Sequence, residues 1–114
     1  MHRDVSPQNV LLSSSGEVKL TDFGIAAARN KLTQTTTGTV LGKAAYMAPE
    51  QATGDKVDFR ADLWAVGVVL YEALVGDRLF AAENPLATVQ RVVTLPIEAP
   101  SVRRPGLSKD LDRI

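Results

Sequence analysis

Cysteine is absent from this chain of 114 residues. That excludes disulfides and thiolate metal sites, and it suits a reducing, cytoplasmic setting. Net charge is absent too, because 13 Lys and Arg balance 13 Asp and Glu. No global field draws the molecule to nucleic acid or to an anionic membrane. A long apolar run is also missing. The most apolar stretch, LWAVGVVLYEALV at residues 63–75, is too short to span a bilayer, holds Glu72, and is flanked by Asp62 and Asp77. It is expected to be a buried helix, not a membrane segment. No apolar stretch follows a basic one at the N-terminus, so no signal peptide is expected. No repeat and no internal linker divides the chain. Its length fits one small domain or a piece of a larger one, able to bury roughly 60–70% of its unfolded surface.

What is present falls into short elements. Val10 to Leu12 and residues 17–21 are strand-like, and Ser13, Ser14, Ser15 and Gly16 between them are turn residues. This predicts a hairpin. Val18 and Leu20 alternate with Glu17, Lys19 and Thr21, so one face is expected to be buried. Residues 29–43, RNKLTQTTTGTVLGK, have no period and read as a polar loop. A helix is predicted from about residue 59 to 75, stopped by Gly76. It is apolar nearly all round, the pattern of a central helix packed on every side. A second helix is predicted from residue 85 to about 93, with Asn84 as cap and Leu86, Val89, Val92 and Val93 as its inner stripe. Pro96, Pro100 and Pro105 predict an extended connector. Ser108 then caps a last helix with Asp110 in its first turn. The expected fold class is mainly α with a small β-hairpin.

Three strings occur in order: HRDVSPQN at 2–9, DFG at 22–24 and APE at 48–50. Together they fix ten positions, which chance would deliver about once in 10¹³ tries. The set resembles the protein-kinase signature. YMAPEQ and DLWAVGVVLYEALVGDRLF extend the likeness, so the whole chain is similar to part of a C-terminal kinase lobe of the bacterial, eukaryotic-like serine/threonine class. The resemblance implies a partial protein-kinase-like C-terminal lobe over residues 1–114, ATP and Mg²⁺ as cofactors, and a protein substrate.

Phosphoryl transfer needs in-line positioning, charge neutralisation and a place for the hydroxyl proton. By resemblance, Asp4 accepts the substrate hydroxyl's hydrogen bond. Asn9 and Asp22 hold magnesium as hard oxygen ligands. Gly24 allows the turn after Asp22. His2 is structural and stacks on Phe23, while Asp62 accepts hydrogen bonds from the catalytic-loop backbone. Arg3 pairs with a phosphate on the activation loop, which runs from Asp22 to Glu50 and offers Thr35, Thr37 and Thr39. Thr35 and Thr37 are favoured over a merely soluble Thr-rich loop.

Two positions depart from the pattern. The family's Lys after the catalytic Asp is Ser6 here, and its activation-segment Thr is Lys43. Either the two groups have been exchanged, with Lys43 reaching back to supply the missing charge, or Ser6 marks a weakened site and Lys43 is a solvated surface charge. Pro7 within SPQN favours a serine or threonine acceptor over tyrosine.

The kinase reaction also needs a glycine-rich loop, a strand lysine and a helix glutamate. No G-x-G-x-x-G occurs in these residues. The expectation is a shortened reading frame whose product alone transfers no phosphate and binds ATP poorly. Alternatives are a non-catalytic substrate-lobe module that docks peptides or an intact kinase, and one half of a split kinase completed by a separate N-terminal lobe. Glu50 of APE has a downstream arginine partner in the family, and Arg103 or Arg104 is not expected to replace it. The central helix is also expected to expose apolar surface where the family places a preceding helix.

Overall fold

The computed structural model describes residue 2, residues 5–21 and residues 44–114. Its first element is a one-turn 3₁₀ helix, Pro7–Asn9, with Pro7 at a position that needs no amide hydrogen. The hairpin follows directly. Strand β1 is Val10–Leu12 and strand β2 is Val18–Leu20. They pair antiparallel, Val10 opposite Leu20 and Leu12 opposite Val18. Serine chemistry builds the turn: Ser13 Oγ accepts from Glu17 N at 3.0 Å, and Gly16 adopts φ 87°.

The expected buried face is realised only at the hairpin's base. Leu20 and Val10 are half-buried, whereas Val18 is 65% exposed and Leu12 is more exposed still. No helix among the described residues covers the tip, so alternation there does not become burial.

Helix α1, Pro49–Thr53, starts with Pro49 and ends at Gly54 with φ 77°. Gln51 Oε1 accepts from Ala48 N at 2.9 Å, which satisfies one amide at the helix entry. Helix α2 spans Arg60–Val75. Asp58 Oδ1 accepts from Arg60 N at 2.9 Å at its start, and Gly76 closes it in the left-handed conformation at φ 80°. Arg104 Nη1 donates to Leu74 O at 2.8 Å, satisfying a carbonyl of its last turn.

Ala61, Ala65, Val68 and Tyr71 form the buried face of α2. Val68 and Tyr71 join Leu79, Phe80 and Val92 in the core, with Tyr46, Trp64 and Val75 packed against it. The Trp64 and Phe80 rings stack at 6.0 Å. Packing on every side of α2 is not what the described residues provide. Leu63 is 62% exposed, and Val66 and Leu70 lie on the same open face. The all-round apolar pattern marks a helix suited to full burial, but burial needs neighbours, and here they sit on one side. The exposed face agrees with the second expectation for this helix.

Helix α3, Pro85–Thr94, begins as expected: Asn84 Oδ1 accepts from Ala87 N at 2.8 Å. Its inner stripe differs. Thr88 is 1% exposed and Val92 is buried, while Leu86 is 71% exposed and Val93 is also open. The reason is local. Thr88 Oγ1 donates to Asn84 O at 3.1 Å, so its one polar atom is satisfied within the helix and the side chain can be buried. The buried face is therefore centred on a residue that the apolar pattern passes over. Helix α1 packs against α3.

The connector is not wholly extended. Pro100 opens a short helix α4, Pro100–Arg103, where a proline at the first position is tolerated. A 3₁₀ helix, Lys109–Arg113, stands where a last helix was expected, with Ser108 Oγ accepting from Asp110 N at 3.2 Å. Asp112 binds α4 to it by accepting from Ser101 N at 3.0 Å and Ser101 Oγ at 2.6 Å. No helix among the described residues is long and apolar enough to cross a membrane.

Candidate active site

Three distant stretches of chain meet at one place. The backbone N–H of His2 donates to Asp62 Oδ2 at 2.7 Å, from the first turn of α2. The buried His2 ring lies with Nε2 2.8 Å from Thr21 O, so this nitrogen carries the proton and donates. Thr21 N donates to Asn9 O at 2.8 Å, and Thr21 Oγ1 reaches the same carbonyl at 3.3 Å.

The approach to Asn9 is equally fixed. Ser6 is extended and immediately precedes the 3₁₀ turn, and Asn9 N donates to Ser6 O at 3.0 Å. Val5, Ser6 and Asn9 are all buried. Proline 7 limits the turn's backbone freedom, which lowers the entropy lost in forming it. Asn9 brings a side-chain amide, a neutral oxygen donor suited to a hard cation. No cluster of three or more His, Asp or Glu side chains that could hold a metal occurs among the described residues.

Of the residues singled out in the sequence, His2, Asn9 and Asp62 are brought into this network, and Ser6 lies beside it. Arg3, Asp4, Asp22, Phe23, Gly24, Thr35, Thr37, Thr39 and Lys43 lie outside the described residues. Glu50 is set apart. It borders a cavity of about 400 Å³ with Lys56, Asp58, Arg60 and Trp64. Trp64 Nε1 is buried without a hydrogen-bond partner among the described residues. Arg103 instead pairs with Asp77 at 3.1 Å, and Arg104 is held at Leu74 O.

Two polar contacts escaped the sequence reading, one at this site and one at the core. Thr21 was legible only as an outward strand residue, yet its backbone and hydroxyl hold Asn9. Glu72 was legible only as a charge in an apolar run. It accepts from the Tyr46 hydroxyl at 2.8 Å and, more weakly, from Leu79 N at 3.4 Å. Burial, reinforced by the Glu72 carboxylate, pushes the Tyr46 hydroxyl far above its ordinary range. Polar spacing alone announces neither contact.

The protein kinase domain family matches residues 1–109. The chain belongs to that family. It is 49% identical over 114 residues to the tyrosine-protein kinase MasK of Myxococcus xanthus, and 44% identical over 118 residues to the serine/threonine-protein kinase PknB of Mycobacterium tuberculosis. A probable serine/threonine-protein kinase of Streptomyces coelicolor is 42% identical over 116 residues. All of the chain is covered in each case, but it spans only 17–18% of the length of these relatives. The kinase likeness inferred from the three signature strings is therefore established at the level of the family, and the helices and hairpin are consistent with part of a kinase fold.

Proposed function

We propose that the chain carries the catalytic-loop and substrate-side portion of a serine/threonine protein kinase of bacterial type, whose reaction is ATP-dependent phosphoryl transfer to a protein hydroxyl. One observation carries this reading: His2, Asn9, Thr21 and Asp62 are joined by hydrogen bonds. Asp4 follows His2 by two positions and Asp22 follows Thr21 directly. The network therefore anchors the chain on both sides of Asp4 and immediately before Asp22.

In this reading Asp4 orients the substrate hydroxyl and accepts its hydrogen bond. Asn9 and Asp22 hold magnesium; an amide oxygen and a carboxylate form a donor set that fits a hard cation. ATP supplies the phosphoryl group, and magnesium neutralises charge on it. His2 and Asp62 position the loop without touching substrate. Arg3 receives a phosphate placed on Thr35, Thr37 or Thr39. Lys43 replaces the charge lost at Ser6.

These 114 residues taken alone are proposed to transfer no phosphate, since they contain no glycine-rich phosphate loop. The test is incubation of the purified chain with magnesium-ATP and a generic protein substrate. No transfer is expected; robust transfer abolished by Asp4→Asn would overturn the proposed inactivity. Joining the chain to a nucleotide-binding lobe is expected to restore transfer, lost again on Asp4→Asn.

The acceptor has a second reading, because one relative is named a tyrosine kinase. Serine or threonine is preferred on Pro7 and on the PknB likeness. Phosphoamino-acid analysis of the product decides between them.

A further inference from the structure

A cleft of about 520 Å³ opens beyond the C-terminal end of α2. Three separate elements supply an arginine to its lining: Arg78 from the turn after α2, Arg91 from the last turn of α3, and Arg103 from α4. None belongs to the His2–Asn9–Thr21–Asp62 network.

The three guanidinium groups are not equivalent. Arg103 donates to Asp77 Oδ2 at 3.1 Å and lies 5.8 Å from the Tyr71 ring centroid. It is held in place and partly neutralised. Arg91 Nη1 donates to Ala81 O at 2.6 Å, a contact that fixes its position, and it makes no ion pair among the described residues. The Arg78 guanidinium makes no hydrogen bond or ion pair among the described residues. Arg78 acts electrostatically on the Tyr46 hydroxyl, but among the described residues neither it nor Arg91 has an ion-pair partner, and both forks line one concave surface.

Their surroundings narrow the choice of ligand. Leu79 and Leu95 contribute apolar wall beside the charges, while Asp77 and Glu98 add negative charge to the same lining. A doubly charged phosphate meets that repulsion twice over. Each carboxylate of a peptide carries a single charge and matches one guanidinium fork bidentately, so two charges are spread over two forks instead of concentrated beside Asp77 and Glu98. The leucines provide contact for an aliphatic neighbour of that carboxylate.

We propose that this cleft docks a segment of a partner protein in which acidic and aliphatic side chains alternate, with Arg78 and Arg91 receiving the carboxylates. The site stands apart from phosphoryl transfer, so its failure leaves the kinase reading intact, and failure of that reading leaves the cleft.

The probe is a fluorescein-labelled Leu-Glu-Leu-Glu-Leu peptide, titrated with the full chain and followed by anisotropy. Its Glu-to-Gln counterpart is expected to bind about tenfold or more weakly, the loss that follows from removing a charge-assisted hydrogen bond. Added salt should weaken the Glu peptide. Arg78→Gln should reduce its affinity by a similar factor, and Arg78→Lys should restore part of it. On the unsubstituted chain, the peptide should slow phenylglyoxal modification of Arg78 and Arg91 but not of Arg113, which lies outside the cleft. Equal affinity for the two peptides, or no protection of Arg78 and Arg91, overturns the proposal. Displacement of the peptide by equimolar inorganic phosphate overturns the choice of carboxylate.

Discussion

The Tyr46 hydroxyl donates to Glu72 Oε2 at 2.8 Å and so fastens the segment before α1 to the last turn of α2. Glu72 turns its other oxygen toward Leu79 N at 3.4 Å, on the loop that carries Phe80 into the core. One carboxylate thus serves two approaches to the same helix. Removing the hydroxyl leaves that carboxylate short of a donor, which costs about 1–3 kcal/mol. Tyr46→Phe should lower the unfolding free energy by this amount in urea titration.

The same pair makes stability depend on alkaline pH. The folded state raises the Tyr46 hydroxyl above its ordinary value near 10, through burial first and Glu72 second. The folded chain therefore holds a proton that the unfolded chain releases. This contribution is complete below pH about 10 and declines as pH rises beyond it. Denaturation midpoints measured from pH 8 to 11 should fall at the upper end, and Tyr46→Phe should flatten that fall.

Asp112 imposes the opposite dependence. Hydrogen bonds from the Ser101 side chain and then its backbone hold the Asp112 carboxyl below its ordinary range. Its contribution is present above the unfolded value near 4 and is lost as pH falls through the folded one. Proteolysis at the junction of α4 and the last 3₁₀ helix should quicken below pH about 4. Ser101→Ala should remove much of that acid sensitivity and make cleavage faster at neutral pH.

Asp62 joins α2 to the N-terminal stretch through His2 N at 2.7 Å. Asp62→Ala should cost about 1.5–3 kcal/mol, the range for a hydrogen bond to a charged group. Amide exchange at His2 and Asn9 should accelerate more than exchange within α3. Uniform acceleration would contradict a local anchoring role.

Phe80 is fully buried and stacks on Trp64. Phe80→Ala should destabilise the chain by about 3–5 kcal/mol, through lost transfer energy and the cavity left behind. By contrast, Leu63→Ser on the open face of α2 should change stability little while reducing aggregation, measurable by light scattering.

Lys43→Met, in a protein that includes a nucleotide-binding lobe, separates the two accounts of Ser6. If Lys43 supplies the missing charge, the turnover number should fall by orders of magnitude with the fold unchanged. An unaffected rate would remove the exchange and leave Lys43 a surface charge.

Local chemistry made much of the fold legible. Gly76, the Asn84–Pro85 pair and the serine-rich turn each dictate a conformation within a few residues, and each helix or hairpin limit follows them. Burial was less legible. Thr88 enters the core because Asn84 O satisfies its hydroxyl, a relation that hydrophobicity does not encode. In the candidate site, family likeness singled out His2 and Asn9 through the first signature string and Asp62 through the apolar stretch that it opens. The bonds that join them through Thr21 span long stretches of chain, and short-range periodicity carries no record of them.

The hairpin has one further consequence. Its base is pinned where Thr21 meets Asn9, while its serine-rich tip closes on itself through Ser13 and Glu17. Length at the tip can change without displacing the pinned end. An epitope or a reporter inserted between Ser14 and Ser15 would ride outside the His2–Asn9–Thr21–Asp62 network, giving this part of the chain a natural point of attachment.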